Sequence, residues 1–156
     1  MGLFTGSPHG APNHCLVNEY KPGEGIHKHE DGGAYWPVVC TVSLGGHIVL
    51  DVGRKAGESS ENQDGGKKEL GQWRILQERR SLLITTGEVY GECLHGIEGV
   101  SVDERLGEED IANWNLLGGK EVFERGSKER DTRVSLTFRD VIKVKKIGKA
   151  LNGWIK

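Results

Sequence analysis

The sequence lacks the features of a membrane protein and of a globally basic nucleic-acid binder. No apolar run approaches the roughly 20 residues that span a bilayer, and no signal peptide opens the chain. The 21 Lys and Arg residues are outnumbered by 23 Asp and Glu residues, which gives a net charge of −2. We therefore expect no membrane association, and any contact with nucleic acid must come from a local patch.

Cysteine is also scarce. The three cysteines, Cys15, Cys40 and Cys93, form no CxxC pair, are odd in number and lie in apolar or strand-like segments. This pattern is typical of small core residues in a reducing compartment. Together with the absence of a signal peptide, it predicts a protein of the nucleus and cytoplasm.

Glycine is abundant, with 24 residues, and it separates short apolar stretches by turns. No long helical periodicity or internal repeat is visible. At 156 residues the chain is long enough for one domain with a core. Many short strands joined by turn signals predict a mainly β fold, a sandwich or jelly roll, and we expect a monomer.

Composition divides the chain into a core and polar additions. The Gly- and Pro-rich residues 1–13 are expected to be disordered, and 14–146 to form the core. Polar stretches at 54–71 and 101–131 are expected to be mobile insertions, the second with a short helix over Glu108–Leu117. Residues 147–156 form a basic tail.

A candidate metal site begins with His29 and Asp31. Residues two apart on a strand point to one face, about 6–7 Å apart, whereas Glu30 points away. His95, in a distant apolar segment, supplies a third ligand if the fold brings it near. Two His and one carboxylate suit Fe(II) with open positions, in contrast to the Zn sites that are built with Cys. Alone, such a pair is more often a surface coincidence, and His27 is an alternative ligand.

The stretch Thr132–Val144 reads as a strand with a polar face. Arg133, Ser135, Thr137 and Arg139 alternate with apolar residues. The polar face is either solvated or the floor of a pocket, where an arginine fixes a carboxylate of a co-substrate. Six residues of strand span about 20 Å, so the two arginines need separate partners. Asn18 and Tyr20, also two apart, offer hydrogen bonds to a small polar ligand.

These parts together resemble the AlkB family of Fe(II)/2-oxoglutarate dioxygenases, and within it the eukaryotic alkylation repair homologue 6 subfamily. The resemblance spans roughly residues 13–146. Its motifs are Asn13-His14-Cys15-Leu16-Val17-Asn18-Glu19-Tyr20, Pro22-Gly23-Glu24-Gly25-Ile26, His29-Glu30-Asp31-Gly32, Tyr35-Trp36-Pro37-Val38-Val39, Leu94-His95-Gly96-Ile97 and Thr132-Arg133-Val134-Ser135-Leu136-Thr137.

The resemblance implies a double-stranded β-helix core and the cofactors Fe(II), 2-oxoglutarate and O2. By position, His29, Asp31 and His95 match the iron ligands. Arg133 matches the arginine that pairs with the distal carboxylate of 2-oxoglutarate, and Asn18 and Tyr20 match further contacts to this co-substrate. Arg139 matches a second arginine near Asp31 and the substrate pocket.

The activity implied is oxidative dealkylation of N-alkylated nucleic acid, with loss of the alkyl group as an aldehyde. The resemblance also implies outer strands and a nucleotide-recognition lid before the core, which this chain is expected to lack. Alternatives are a protein or small-molecule hydroxylase, or a non-catalytic interaction protein. Weak nucleic-acid binding is expected through the C-terminal lysines.

Overall fold

The computed structural model describes residues 2–55 and 71–144, which form two four-stranded antiparallel sheets and a small hairpin. The strands are β1 (His14–Tyr20), β2 (Ile26–His29), β3 (Val38–Gly45), β4 (Ile48–Arg54), β5 (Gln72–Gln77), β6 (Leu82–Thr86), β7 (Cys93–Ile97), β8 (Val102–Leu106), β9 (Gly126–Glu129) and β10 (Arg133–Arg139). One short helix, α1 (Gly87–Glu92), joins β6 to β7, and 3-10 turns cover Trp114–Leu116 and Lys120–Val122.

The first four strands alternate between the two sheets, whereas β4 and β5 are neighbours in the second sheet and β8 and β9 pair with each other. The first sheet has the order β1-β10-β3-β6 and the second the order β2-β7-β4-β5, with every pairing antiparallel. The prediction of a mainly β, double-stranded β-helix core is confirmed. β10 is an inner strand of the first sheet, between β1 and β3. One face of its side chains is directed into the space between the two sheets.

β4 supplies core residues on both of its faces. Ile48, Leu50 and Val52 are buried with Cys93 and Ile97 between the two sheets. Val49 points the other way, and it packs in a second buried cluster with Leu76, Leu106, Ile111, Leu117 and Phe123. The continuous apolar run Ile48-Val49-Leu50 is typical of a strand that is covered on both sides.

The structure of 101–131 differs from the expectation of a mobile insertion. This segment contains β8, β9 and both 3-10 turns, and it places four of its apolar side chains against β4 and β5. The expected helix over Glu108–Leu117 is reduced to the 3-10 turn Trp114–Leu116. Asn113 anchors the turn to β5, since its side chain accepts from Leu76 N–H and donates to Leu76 C=O, both at 2.9 Å.

The expectation of disorder over 1–13 also differs from the structure, which describes residues 2–13. Phe4 is buried against Val38 and Cys40 at the outer face of the first sheet. The His9 ring lies 2.6 Å from the carboxylate of Asp140, which is fully buried. An aromatic anchor and hydrogen bonds from His9 to a buried carboxylate therefore hold a segment whose Gly and Pro content predicted disorder.

The other predicted additions fall largely outside the described residues. Of 54–71, Arg54 ends β4, and Lys55 and Gly71 are also described. The rest of that stretch and the basic tail 147–156 lie outside the description. Cys40 and Cys93 are buried and free, as expected, whereas Cys15 is free but exposed. Among the described helices, none is long and apolar enough to cross a membrane.

A buried charged group fastens the 101–131 segment to the core. Arg130 donates two hydrogen bonds to Asp103, at 2.8 and 2.7 Å, and a third to Glu98 C=O at 2.7 Å. His47 Nε2 lies 3.3 Å from Asp103. Burial alone raises the pKa of Asp103, but hydrogen bonds from Arg130 and His47 outweigh it, so the net effect is a lowered pKa.

We predict that Asp103→Asn destabilises the fold by about 3 kcal/mol, because it leaves the Arg130 charge buried without its counter-ion. Urea unfolding measures this loss. The neighbouring exposed residue gives the matched control, Glu104→Gln, which should change stability by less than about 0.5 kcal/mol. Equal midpoints for the two variants would contradict the assignment.

The same pair predicts how stability depends on pH. A carboxyl whose pKa is lowered by folding contributes stability above its unfolded pKa of about 4, and this is lost as the pH falls through the folded value. The wild type should therefore lose more stability than Asp103→Asn below about pH 4. Parallel pH profiles for the two proteins would show that Asp103 does not carry this effect.

Candidate active site

A cavity of about 390 Å³ lies between the two sheets. Every site residue predicted from the sequence lines it: Asn18, Tyr20, His29, Asp31, His95, Arg133 and Arg139. The polar face of β10 therefore forms the floor of a pocket and is not solvated; Arg133, Ser135 and Thr137 are buried. Apolar residues from both sheets complete the walls.

One end of the cavity carries the two histidines and the carboxylate. β2 and β7 are neighbours, and His29 pairs directly with His95 in their register. Their ring centroids are 4.5 Å apart. Asp31 follows two residues after His29, and its Oδ2 lies 3.9 Å from His95 Nε2. The fold thus brings together three groups that are 66 residues apart at their extremes.

The hydrogen bond of His29 and the electrostatic surroundings of His95 suit metal binding. His29 Nδ1 donates to the His27 carbonyl at 2.8 Å, so the Nε2 atom of that tautomer has its lone pair free. Burial lowers the pKa of His95, and the nearby His29 and Arg139 act in the same direction, against Asp31. His95 is therefore neutral at pH 7, as a metal ligand must be.

Two neighbouring residues are directed elsewhere. Glu30 is half exposed and forms an ion pair with Lys55. His27 is exposed, and it contributes its backbone carbonyl to the His29 ring. Strand alternation accounts for Glu30, which lies one position from both His29 and Asp31. His27 lies two positions before His29, and the β2–β7 register shifts between Ile26 and His29.

Arg139 holds the other side of the Asp31 carboxylate. Its Nη2 lies 2.5 Å from Asp31 Oδ1, and its guanidinium carbon lies 4.8 Å from the centre of the Tyr35 ring. Asp31 is therefore shared between Arg139 and His95 and is 5% exposed. Among the described residues, no three His, Cys, Asp or Glu side chains are arranged closely enough to hold a metal ion. In this structure Asp31 lies closer to Arg139 than to His95.

Arg133 lies at the opposite end of β10, 2% exposed. Its Nη2 donates to Ser43 Oγ at 2.8 Å and to Gln77 Oε1 at 3.0 Å. Within the described part of the chain, no carboxylate is in ion-pair contact with it. Burial lowers its pKa to about 10, so it remains a cation at neutral pH.

Asn18 and Tyr20 lie beside Arg133 on β1. Tyr20 pairs with Arg133 in the β1–β10 register, and its ring centre is 6.0 Å from the guanidinium carbon. Burial raises the pKa of Tyr20, against the effect of Arg133, so its hydroxyl is a hydrogen-bond donor at neutral pH. This end of the cavity offers a buried cation with neutral donors around it.

Several residues of the site were not identified from the sequence. Ser43 and Gln77 orient Arg133, Tyr35 stacks on Arg139, and Tyr90 of α1 reaches the loop after Asp31. Gln77 ends β5 on the same face as the apolar Trp73 and Ile75, so a polar residue in this position was a usable signal. Tyr90 lies in a short helix with no periodic pattern, and nothing local marked it.

Comparisons with known proteins identify the family to which the chain is similar. A family model described as "2OG-Fe(II) oxygenase superfamily" matches residues 5–139. The chain is 39% identical over 144 residues to a protein of Danio rerio named "Probable RNA/DNA demethylase ALKBH6", covering 92% of this chain and 58% of that protein. It is 32% identical over 135 residues to an uncharacterized protein, L905, of Acanthamoeba polyphaga mimivirus, covering 86% and 50%.

More distant relatives are similar over smaller shares of their length. The tRNA (carboxymethyluridine(34)-5-O)-methyltransferase ALKBH8 of Mus musculus is 28% identical, with 83% of this chain and 18% of that protein covered. The solved structure of OsALKBH1 aligns with a TM-score of 0.47 at 20% identity, covering 83% and 48%. The chain thus spans about half the length of the first two relatives.

Proposed function

The chain belongs to the 2OG-Fe(II) oxygenase superfamily, and from this premise we propose that it is an Fe(II)/2-oxoglutarate-dependent dioxygenase that removes alkyl groups from nucleic acid. One observation carries the proposal. A single cavity has two histidines and a carboxylate at one end and a buried arginine without an acidic partner, among the described residues, at the other. Such a cavity fits a metal and a dicarboxylate at the same time.

The donor set fits Fe(II). His29, His95 and Asp31 would hold the metal, and two imidazoles with one carboxylate leave positions open for further ligands. The His27 carbonyl fixes the His29 ring, and Arg139 pairs with one oxygen of the Asp31 carboxylate. When bound, Fe(II) with 2-oxoglutarate and O2 supplies the oxidising chemistry, and 2-oxoglutarate becomes succinate and CO2.

Arg133 would bind the distal carboxylate of 2-oxoglutarate. The guanidinium is oriented by Ser43 and Gln77, which leave its charge uncompensated, so an incoming carboxylate forms a charge-assisted pair in a buried site. Tyr20 and Asn18 would add hydrogen bonds from β1. The apolar walls of the cavity exclude water from the space between the two ends.

The substrate assignment comes from the relatives. The zebrafish relative is named a probable RNA/DNA demethylase, and we propose the same class for this chain. The test is formaldehyde release from a single-stranded oligonucleotide bearing N-methylated bases, measured with an unmethylated oligonucleotide as control. Release from the methylated strand supports the proposal. Succinate formation without formaldehyde from any methylated strand would point to a protein or small-molecule substrate.

We further propose weak nucleic-acid binding through the lysines after β10, most of which lie outside the described residues. Lys143, Lys145, Lys146, Lys149 and Lys156 concentrate positive charge in one stretch of the sequence, in a chain of net charge −2. Affinity for single-stranded DNA should fall about tenfold or more between 50 and 200 mM salt, because phosphate contacts release counterions. A chain ending at Val144 should bind more weakly. Equal, salt-insensitive binding by both would locate recognition in the cavity.

The remaining expectations accompany this proposal. We propose that the protein acts as a monomer in the nucleus and cytoplasm, where its three free cysteines stay reduced. Size-exclusion chromatography with light scattering tests the first part, and imaging of a tagged chain tests the second. A stable dimer, or confinement to an oxidising compartment, would contradict them.

A further inference from the structure

The helix α1 contacts the segment that carries two of the proposed metal ligands. The hydroxyl of Tyr90 donates to the carbonyl of Gly32 at 2.7 Å and lies 3.5 Å from the carbonyl of Tyr35. Gly32 directly follows Asp31 in the chain. One phenol therefore reaches both ends of the short loop that leaves the metal end of the cavity.

This loop is poorly held by sheet pairing. β2 ends at His29, and pairing returns at the bridge between Tyr35 and Val141. Gly32 has a φ of +81°, a conformation that glycine adopts without strain. Without a restraint, the flexible backbone at Gly32 would let the neighbouring Asp31 change its orientation. A hydrogen bond to the Gly32 carbonyl holds this part of the backbone, and it therefore restricts where the Asp31 side chain can point.

A second contact joins α1 to the residue on the other side of Asp31. Lys55 Nζ donates to the Gly91 carbonyl of α1 at 2.7 Å and also forms an ion pair with Glu30. Both charged side chains are at least one third exposed, so this pair is weak in water. Tyr90 is less exposed than Glu30. The carbonyl that accepts its hydrogen bond belongs to Gly32, the residue next to the proposed metal ligand Asp31.

The Asp31 carboxylate needs such a restraint, because Arg139 competes for it. Asp31 Oδ1 is 2.5 Å from Arg139, whereas Asp31 Oδ2 is 3.9 Å from His95. A freer backbone would let both oxygens turn to the arginine and withdraw the carboxylate from the two imidazoles. Restraint from outside the ion pair keeps one oxygen directed at the histidines.

We propose that Tyr90 is a positioning residue for Asp31, acting through the Gly32 carbonyl to keep the carboxylate available to a metal ion. This role rests on the proposed Fe(II) site, and it assigns to α1 a function in that site beyond joining two strands. Tyr90 touches neither the metal ligands' donor atoms nor the co-substrate end of the cavity.

The experiment measures Mn(II) binding, as an oxygen-stable stand-in for Fe(II), by calorimetry on the full chain. Tyr90→Phe should raise the dissociation constant about tenfold, the scale of a lost contact behind a metal ligand. The control on the same helix is Glu88→Gln, because the Glu88 side chain is exposed and pairs with Arg54, away from the loop after Asp31. This control should stay within about twofold.

A spectroscopic readout separates positioning from general stability. With Co(II) bound, the visible absorption of Tyr90→Phe should shift from that of the wild type toward that of Asp31→Ala. A lower melting temperature for Tyr90→Phe with unchanged Mn(II) affinity and Co(II) spectrum would overturn the proposal. Mn(II) affinity that is unchanged in Asp31→Ala would instead overturn the proposed metal site, and the positioning role with it.

Discussion

Replacing Asp31 with alanine is expected to weaken Mn(II) or Fe(II) binding by about a hundredfold or more, since loss of a ligand exceeds the effect of losing a residue behind one. The two histidines that remain, with ring centroids 4.5 Å apart, form a poor site on their own. Calorimetry under anaerobic conditions gives the two affinities directly.

The adjacent carboxylate supplies a control for this measurement. Glu30 is half exposed and paired with Lys55, and Glu30→Gln removes the same charge without touching the cavity. This variant should bind metal within about threefold of the wild type. If both variants lost affinity equally, the effect would come from the net charge near the site and not from coordination by Asp31.

The second large effect is expected from Arg133→Met, which should raise the dissociation constant of 2-oxoglutarate about a hundredfold. Truncating one partner of a buried charge pair costs about 2–5 kcal/mol, and every 1.4 kcal/mol is about tenfold. Methionine keeps much of the side-chain volume, and Mn(II) affinity should not change. Calorimetric titration of the Mn(II)-loaded protein with 2-oxoglutarate measures both.

Arg139→Met is the matched variant for this prediction. Arg139 is already paired with Asp31, so its loss should disturb metal affinity more than co-substrate affinity. Arg133→Lys, which keeps the charge but loses the paired geometry, should lie between wild type and Arg133→Met. A larger co-substrate defect in Arg139→Met than in Arg133→Met would exchange the two assigned roles.

The site was largely predictable because strand alternation places its residues. His29 and Asp31 are two apart, as are Asn18 and Tyr20, and such pairs face one side once a strand is recognised. The Arg133-to-Arg139 stripe follows the same rule, and β10 places it in the cavity. What alternation does not give is which strands are neighbours, so the contact of His29 with His95 needed the family resemblance.

Composition did not predict the packing of two segments, 1–13 and 101–131, against the sheets. The buried apolar residues of 101–131 lie five or six positions apart, at Leu106, Ile111, Leu117 and Phe123, among many charges. No local pattern reveals that these four converge on the outer face of β4, because the partner surface is more than 50 residues away. Likewise, one Phe4 in a Gly- and Pro-rich stretch suffices to anchor it when the first sheet offers an apolar surface.

Residues that support the site were harder to foresee than those that form it. Gln77 accepts a hydrogen bond from Arg133, and Tyr90 donates one to the Gly32 carbonyl. In both cases the two partners lie far apart in the sequence. Hydrogen bonds between such distant residues depend on the assembled tertiary structure. A single sequence gives their chemistry but not their partners.

The central claim, that this cavity turns over 2-oxoglutarate, is tested most directly by measuring succinate. The purified chain is incubated with Fe(II), ascorbate, O2 and 2-oxoglutarate, and compared with Asp31→Ala. We predict succinate above background for the wild type, matched by O2 consumption, and background levels for Asp31→Ala. A folded wild type that forms no succinate, or equal formation by Asp31→Ala, would contradict the account.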